Sequence, residues 1–335
     1  MKTVFDGTSV RCGWDGQVLY EQGGFGRKEG KSLRLAPQEA IYLLQRGKIE
    51  IEGFDLDQFL AAFAGQPNVV RSFLVYRDIR ERGYAVQTGP HDFRVFRRGQ
   101  RPGKGESLYL VRVVSERDPI RFNELIKEVT TAHNVRKQYV LAVVDDEDEL
   151  TYYEIKIQKL LKNPPVMQFP PIAGVPAGKS VMIKTPAGSP FEQAWFGSRL
   201  DDFRLLFSPL ETFYLASAGV LSVTANEKKV PVDEIFQRAQ ESDSEFSHKA
   251  KVYTDLRHRG YVPKTGYKFG HHFRVYSGER AHSEMLVHAM ETDAGLPMST
   301  ISRSVRLAHS VKKKMLFACV YTSGIQYVEF ARIKL

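Results

Sequence analysis

Cysteine is nearly absent: the 335 residues contain two, Cys12 and Cys319, 307 positions apart. That spacing gives no ligand pattern, so neither a disulfide framework nor a zinc site is expected. Long apolar runs are absent too. No stretch approaches the roughly 20 residues that a bilayer span requires, and the opening MKTVFDGTSVRCGWDG lacks the apolar segment of a secretory signal. A cytoplasmic protein with no membrane partner is the expectation. Acidic residues run short in one region only. From His248 to Leu335 there are 15 Lys and Arg against 6 Asp and Glu, so the whole net charge of +9 sits there and the rest of the chain balances. A basic terminal segment on a neutral body suggests a localised face for a polyanion, with a merely solvated basic surface as the alternative. At 42% hydrophobic composition the chain can bury cores for two or more domains.

What is present is a duplication. YRDIRERGYAVQTG, Tyr76 to Gly89, aligns with YTDLRHRGYVPKTG, Tyr253 to Gly266, at 8 of 14 positions. Upstream, APQEAIYLLQRGKIEI from Ala36 matches SPLETFYLASAGVLSV from Ser208. Each reads as a short helix followed by a strand. Ser208 with Glu211 forms a capping box, Pro37 and Pro209 suit the first helical turn, and Gly47 and Gly219 suit the left-handed residue that ends a helix.

The back halves share one plan. A helix ends at Gly83 or Gly260, and a strand and the FRV strand follow, then a return through LYLVRVV or EMLVHAM. A second helix is expected to be capped by Asp118 in the first copy and by Ser299 in the second. An alternating hairpin closes each copy, QYVLAVVD with LTYYEIKI and MLFACVY with IQYVEFARIKL. Between the copies, NPPVMQFPPIAGVPAG carries five prolines and reads as an extended connector. The expected fold class is α/β in the mixed α+β sense. Each repeat has a small helix-rich N-terminal subdomain (residues 1–70 and 179–240) and an α/β domain (71–162 and 241–335), joined by a linker over 163–178.

Similar frameworks make the differences informative. In the second copy the FRV strand is expected to end at Tyr276, and the loop SGERA to lead into a strand beginning at His282, which sets a phenol beside an imidazole. Lys313 lies where the last helix meets the closing hairpin, and Arg306, seven residues earlier, is two helical turns back on the same face. Taken singly, each has an ordinary explanation. Strand tyrosines pack, most histidines are structural or solvated, and lysines at a helix C-terminus complement its dipole. The first copy supplies a control: it has Phe96 for Tyr276, Glu106 for His282 and Thr130 for Arg306, and keeps only Lys137 for Lys313. Packing preserved while ionisable groups differ is the pattern of a non-catalytic duplicate.

Through GFGRKEGKSLRLAPQEAIYLLQRGKIEIEG, RGYVPKTGYKFGHHFRVY, HSEMLV and SVKKKMLFACV, nearly the whole chain resembles the archaeal tRNA-splicing endonucleases, in the form with two fused repeats that works as a homodimer. The resemblance implies a nuclease-like back half in each repeat, inactive in the first and catalytic in the second. It implies no cofactor and no metal, and RNA cleavage to a 2′,3′-cyclic phosphate and a 5′-hydroxyl. The family triad falls on Tyr276, His282 and Lys313. Such chemistry needs a base at the ribose 2′-OH, an acid at the leaving 5′ oxygen and positive charge at the phosphorane, roles assigned here to Tyr276, His282 and Lys313 in turn. The rival, magnesium-dependent sheet nucleases, needs an Asp with Glu-x-Lys. Glu284 is followed by Met285 and Leu286, and Glu106 by Ser107 and Leu108, so neither copy has that lysine.

The resemblance also implies a substrate, precursor tRNA folded as a bulge-helix-bulge, whose flipped base would be clamped by Arg306 and Arg332. It implies a dimer contact as well. The first copy's closing hairpin turns through Asp145, Asp146, Glu147, Asp148 and Glu149, where the second has the uncharged TSG. An acidic loop entering a basic pocket on the second repeat of another copy would close a twofold homodimer, whereas a solvated turn is the ordinary reading. A non-catalytic RNA-binding or assembly subunit is the competing class, and the first copy alone would fit it.

Overall fold

The computed structural model describes residues 1–89, 91–161, 168–277, 282–291 and 293–335. Two compact units emerge: Met1–Ile157 with Gly295–Arg306 and Phe330–Leu335, and Gln158–Ala294 with Leu307–Glu329.

In the first unit, short strands form a sheet in the order Arg27–Glu29, Ser32–Leu35, Val10–Cys12, Lys2–Phe5 and Glu50–Ile51. The helix Pro37–Gln45 packs on it, with Leu33, Leu35, Ile41 and Phe59 in the core. Proline at its first position cannot donate a hydrogen bond and need not, and Gly47 at φ +63° ends the helix in the left-handed region. Glu39 is buried at the third position, where its carboxylate accepts from the amides of Ala36 and Gly26 at 3.0 and 2.9 Å.

The helix Pro67–Glu81 then buries Phe73, Val75, Tyr76 and Ile79. It covers strands Val86–Thr88, Phe93–Phe96, Ser107–Ser115, Gln138–Val144 and Leu150–Gln158, neighbours in that order. Ser107–Ser115 and Gln138–Val144 run parallel, so the chain must cross over between them, and the helix Phe122–Asn134 makes that crossing with Phe122, Leu125, Ile126 and Val129 turned inward.

The second unit repeats the design. Its front sheet orders Ser198–Asp201, Arg204–Phe207, Ser180–Lys184, Ile172–Ala177, Leu221–Ala225 and Lys228–Lys229 around the helix Pro209–Ser217. Ser208 and Glu211 form the expected capping box. Behind it, the helix Phe246–His258 covers Tyr261–Thr265, Phe273–Ser277, Met285–Glu291 and Lys314–Tyr321, with Gly324–Ile333 next to the last of these. The helix Met298–Ser310, whose residues up to Arg306 belong to the first unit, precedes Lys314–Tyr321, the parallel partner of Met285–Glu291. Cys12 and Cys319 are both buried free thiols, and burial pushes them up to about 11 and about 12.

Four local expectations are corrected. Asp118 does not cap a helix: Pro119–Arg121 is a short strand paired with Gly295–Pro297, and the helix begins at Phe122. Asp118 instead accepts from the Ser115 amide at 2.8 Å to close a turn. Ser299 lies inside its helix, which starts at Met298. Residues 172–177, read as linker, form a strand, with Ile172–Gly174 paired to Leu221–Val223 and Gly174–Ala177 to Ser180–Ile183. Pro176 falls past the parallel pairing, so only one side of the strand is laddered there. The strand after Tyr276 begins at Met285 rather than His282; Gly278–Ala281 of the intervening loop, like residues 162–167 of the linker, lie outside the described residues.

Candidate active site

Two helices end alike. Arg136 and Lys312 both take left-handed φ, +57° and +55°, and the amides of Lys137 and Lys313 reach back to the carbonyls of Ala132 and Ala308 at 2.9 and 2.8 Å. This six-to-one closure satisfies the last helical carbonyls and turns the chain directly into the next strand. Each copy thereby delivers a lysine to the same place. In the second unit Lys313 Nζ donates to the Ser283 carbonyl at 2.7 Å and lies 6.0 Å from the Phe269 ring centroid. An ammonium carries three donors, so this bond leaves capacity for an anion.

Beside it lies a cavity of about 1350 Å³ lined by His282, Ser283, Lys312, Lys313 and Lys314, with Lys159 and His309 adding positive or protonatable character. His282 is exposed at its rim. The structure therefore brings His282 and Lys313 together around one concave surface.

Tyr276 stands one strand over. Val275 pairs with Met285 and its carbonyl accepts from the Glu284 amide at 2.9 Å, so the Tyr276 backbone is level with Glu284, two residues from His282. The residue is 8% exposed, and its ring packs on Trp195 with centroids 5.2 Å apart and planes tilted 46°, while the Arg274 guanidinium lies 5.8 Å from its centroid. Tyr276 does not line the cavity.

Trp195 and Arg274 escaped sequence reasoning. Trp195 follows the short helix Pro190–Gln193 at φ +61°, a conformation that costs a bulky residue on the order of 1–3 kcal/mol. Arg257 holds it there, donating to the Ala194 and Trp195 carbonyls at 2.9 and 3.3 Å while its guanidinium lies over Phe196. A signal existed: EQAWFG, Glu192–Gly197, aligns with EQGGFG, Glu21–Gly26, and sets Trp195 against Gly24.

The remaining candidates lie elsewhere. Arg306 is exposed on the helix Met298–Ser310 and Arg332 is exposed on the strand Gly324–Ile333; neither lines the cavity. The acidic turn is exposed at Asp146, Glu147, Asp148 and Glu149. Asp145 instead builds the turn, its carboxylate accepting from the amides of Glu147 and Glu149 at 3.0 and 2.8 Å, and Asp146 pairs with Arg117.

A duplicated fold carrying a histidine and a lysine on a basic concavity in one copy, with a salt bridge at the matching positions of the other, fits a nucleic-acid-cleaving class. Family comparison agrees. Residues 69–152 and 246–327 each match the tRNA intron endonuclease catalytic C-terminal domain, and residues 1–60 and 172–236 the N-terminal domain. The chain is 40% identical to a tRNA-splicing endonuclease of Methanococcoides burtonii over 95% of both chains. It is 39% identical to one of Methanosarcina acetivorans over the full length of both, and 38% identical to one of Natronomonas pharaonis over 94% of both. The chain belongs to the tRNA-splicing endonuclease family, and it is an endonuclease acting in tRNA splicing. Among the described residues no helix is long and apolar enough to cross a membrane.

Proposed function

We propose that this enzyme cuts precursor tRNA at bulge-helix-bulge intron boundaries by attack of the ribose 2′-OH on the adjacent phosphate, leaving a 2′,3′-cyclic phosphate and a 5′-hydroxyl, without a metal ion. The observation that carries the reading is the shared cavity of His282 and Lys313, one strand from Tyr276. Tyr276 takes the 2′-OH proton, His282 gives a proton to the departing 5′ oxygen, and Lys313 stabilises the charge that develops on the phosphorane. The departing oxygen leaves with the electron pair of the broken P–O bond as the new P–O bond to the 2′ oxygen closes the ring. Arg306 and Arg332 hold a flipped bulge base, and the exposed acids of the 145–149 turn enter a basic pocket of a second copy to form a homodimer.

Purified protein incubated with a bulge-helix-bulge transcript in excess EDTA tests this directly. Two cuts should release the intron. The 3′ ends should resist polyadenylation until the cyclic phosphate is removed, and the new 5′ ends should accept phosphate from a kinase without prior dephosphorylation. Loss of cleavage in chelator, or a 5′-phosphate product, overturns the proposal. Replacing Asp146, Glu147 and Glu149 by serine, with Asp145 kept as the turn's acceptor, should convert dimer to monomer in sedimentation; a persisting dimer removes the loop from that role.

A further inference from the structure

Trp195 occupies a position that the fold itself prefers to give to glycine. In the first copy the aligned residue is Gly24 at φ +67°, and a Cβ built there would come within 2.8 Å of Pro102 Cδ and 3.1 Å of Arg101 Cβ. The loop after Phe96 thus lies against Gly24. That loop takes ten steps from Phe96 to Glu106, whereas the second copy takes six from Tyr276 to His282. Where the longer loop lies against the glycine in one copy, the other has an indole on the aromatic ring at the end of the FRV strand. The surrounding framework is otherwise retained: Arg80 caps the Gly23 carbonyl and stacks on Phe25, as Arg257 caps the Ala194 carbonyl and stacks on Phe196. The strained residue and the phenol occur together, and in the first copy neither does.

We infer that Trp195 is a positioning residue for Tyr276: the indole, held by Arg257, fixes the phenol's orientation toward the scissile ribose and shields one face of the ring from water. This rests on the assignment of Tyr276 as a reacting group. A group misplaced by about an ångström can lose about 10²-fold in rate, so strain kept at a site beside a reacting side chain has a function to serve. Trp195 is 39% exposed, so a direct stacking contact with an RNA base is the competing role.

Single-turnover cleavage at saturating protein, together with RNA affinity by filter binding, separates these. Trp195→Gly, the residue the first copy uses, should slow the bound-state cut about tenfold or more and change affinity by less than about threefold. Trp195→Phe should restore the rate to within about threefold. In a Tyr276→Phe background, Trp195→Gly should cost less than about twofold, because a positioning effect disappears with the group positioned. An unchanged rate, a loss carried by affinity alone, or full additivity in the double variant overturns the inference while leaving the active-site reading intact. A Tyr276→Phe variant that cuts like wild type overturns both, and is recognised by that single measurement.

Discussion

Lys137 and Lys313 leave equivalent helix ends in equivalent ways, and what each meets separates the two halves of the molecule. Lys137 Nζ lies 3.3 Å from the carboxylate of Glu106, the residue aligned with His282. Lys313 Nζ donates to the main-chain carbonyl of Ser283 and has no carboxylate partner among the described residues, and it lines the cavity with His282. In the first copy a carboxylate stands beside the lysine and offsets its charge, which disfavours a phosphate there. The second copy, with imidazole in place of carboxylate, leaves the ammonium available. Duplication has kept the packing that places a cation and changed the partner that decides whether the cation is free to act.

The largest effect should fall on this difference. Lys313→Ala and His282→Ala should each lower the single-turnover cleavage rate by about 10² to 10⁴, the range for a general acid or an electrostatic stabiliser. Lys137→Ala should leave it within about twofold. Stability should move little as well, because Glu106 is 87% exposed and an ion pair of that kind contributes about 0–1 kcal/mol. A Lys137 variant that loses activity would dissolve the distinction between the halves.

A second contrast lies in the front subdomains. Glu39 and Glu211 each accept two backbone amides at the start of the equivalent helix. Burial pushes the Glu39 carboxyl up, with only its two amide partners and the more distant Arg80 and Arg27 opposing. Burial pushes Glu211 up as well, but the Lys264 ammonium 2.8 Å away, with the amides, overcomes it and holds the group below the usual range. The aligned residue in the first copy is Gln87. Lys264→Gln should therefore destabilise the second unit by about 1.5–3 kcal/mol at neutral pH, the range for a hydrogen bond to a charged group, read by urea unfolding. The effect fades in acid. Glu211's contribution is present above about pH 4.5 and is lost as pH falls through its depressed folded value, so the gap between variant and wild type should narrow progressively as pH falls below about 4.5.

How much of this was legible follows from the range of the interactions. The helices bounded by Pro37 and Gly47, or by Ser208, Pro209 and Gly219, were readable because caps act within a few residues. The closing hairpins were readable because runs of seven to ten residues rich in β-branched and aromatic side chains have strand length, although these strands are buried in unbroken stretches and not in alternation. Asp118 and Ser299 misled because Pro119–Arg121 pairs with Gly295–Pro297, more than 170 residues away, and no local signal announces a three-residue ladder. Ile172–Ala177 was hidden by Pro176 and the prolines before it; Pro176 is tolerated because only one side of the strand is laddered there. Tyr276, His282 and Lys313 were nominated by comparing the copies. Trp195 was open to the same comparison, but its meaning depended on a backbone angle and on a neighbour that only the fold supplies.

The smallest expected effect concerns a cluster of one buried and two half-buried histidines in the second copy. His272 stacks on His288 with centroids 4.3 Å apart, and His271 meets His288 edge-on at 5.8 Å. The Ala289 amide donates to His272 Nδ1 at 3.0 Å, so a proton there would set two donors against each other. Burial first, then the neighbouring His288, lowers His271 to about 4 and His272 to about 3; burial also lowers His288. Lys249 and His248 add to the shift on His272 and His288, and Glu245, 3.4 Å from His272 Nε2, opposes it. The contribution of these neutral imidazoles is complete above about pH 6.5. It is lost as pH falls toward 4, because the unfolded chain takes up protons that the folded one refuses, on the order of 1 kcal/mol for each of His271 and His272 by pH 5.5. The first copy has Asp92 and Arg112 at the positions of His272 and His288, with Asp92 accepting from the Val113 amide at 2.6 Å and Arg112 paired to Glu128. Burial raises the Asp92 carboxyl, so acid favours that fold instead of opposing it. Hydrogen exchange corrected for intrinsic rates should show Met285–Glu291 losing protection between pH 7.5 and 5.5 while Ser107–Ser115 does not. His272→Asn, which keeps an acceptor for Ala289 without a titrating ring, should reduce the difference; equal loss in both strands, or a loss unchanged by His272→Asn, would show that His272 is not a source of it.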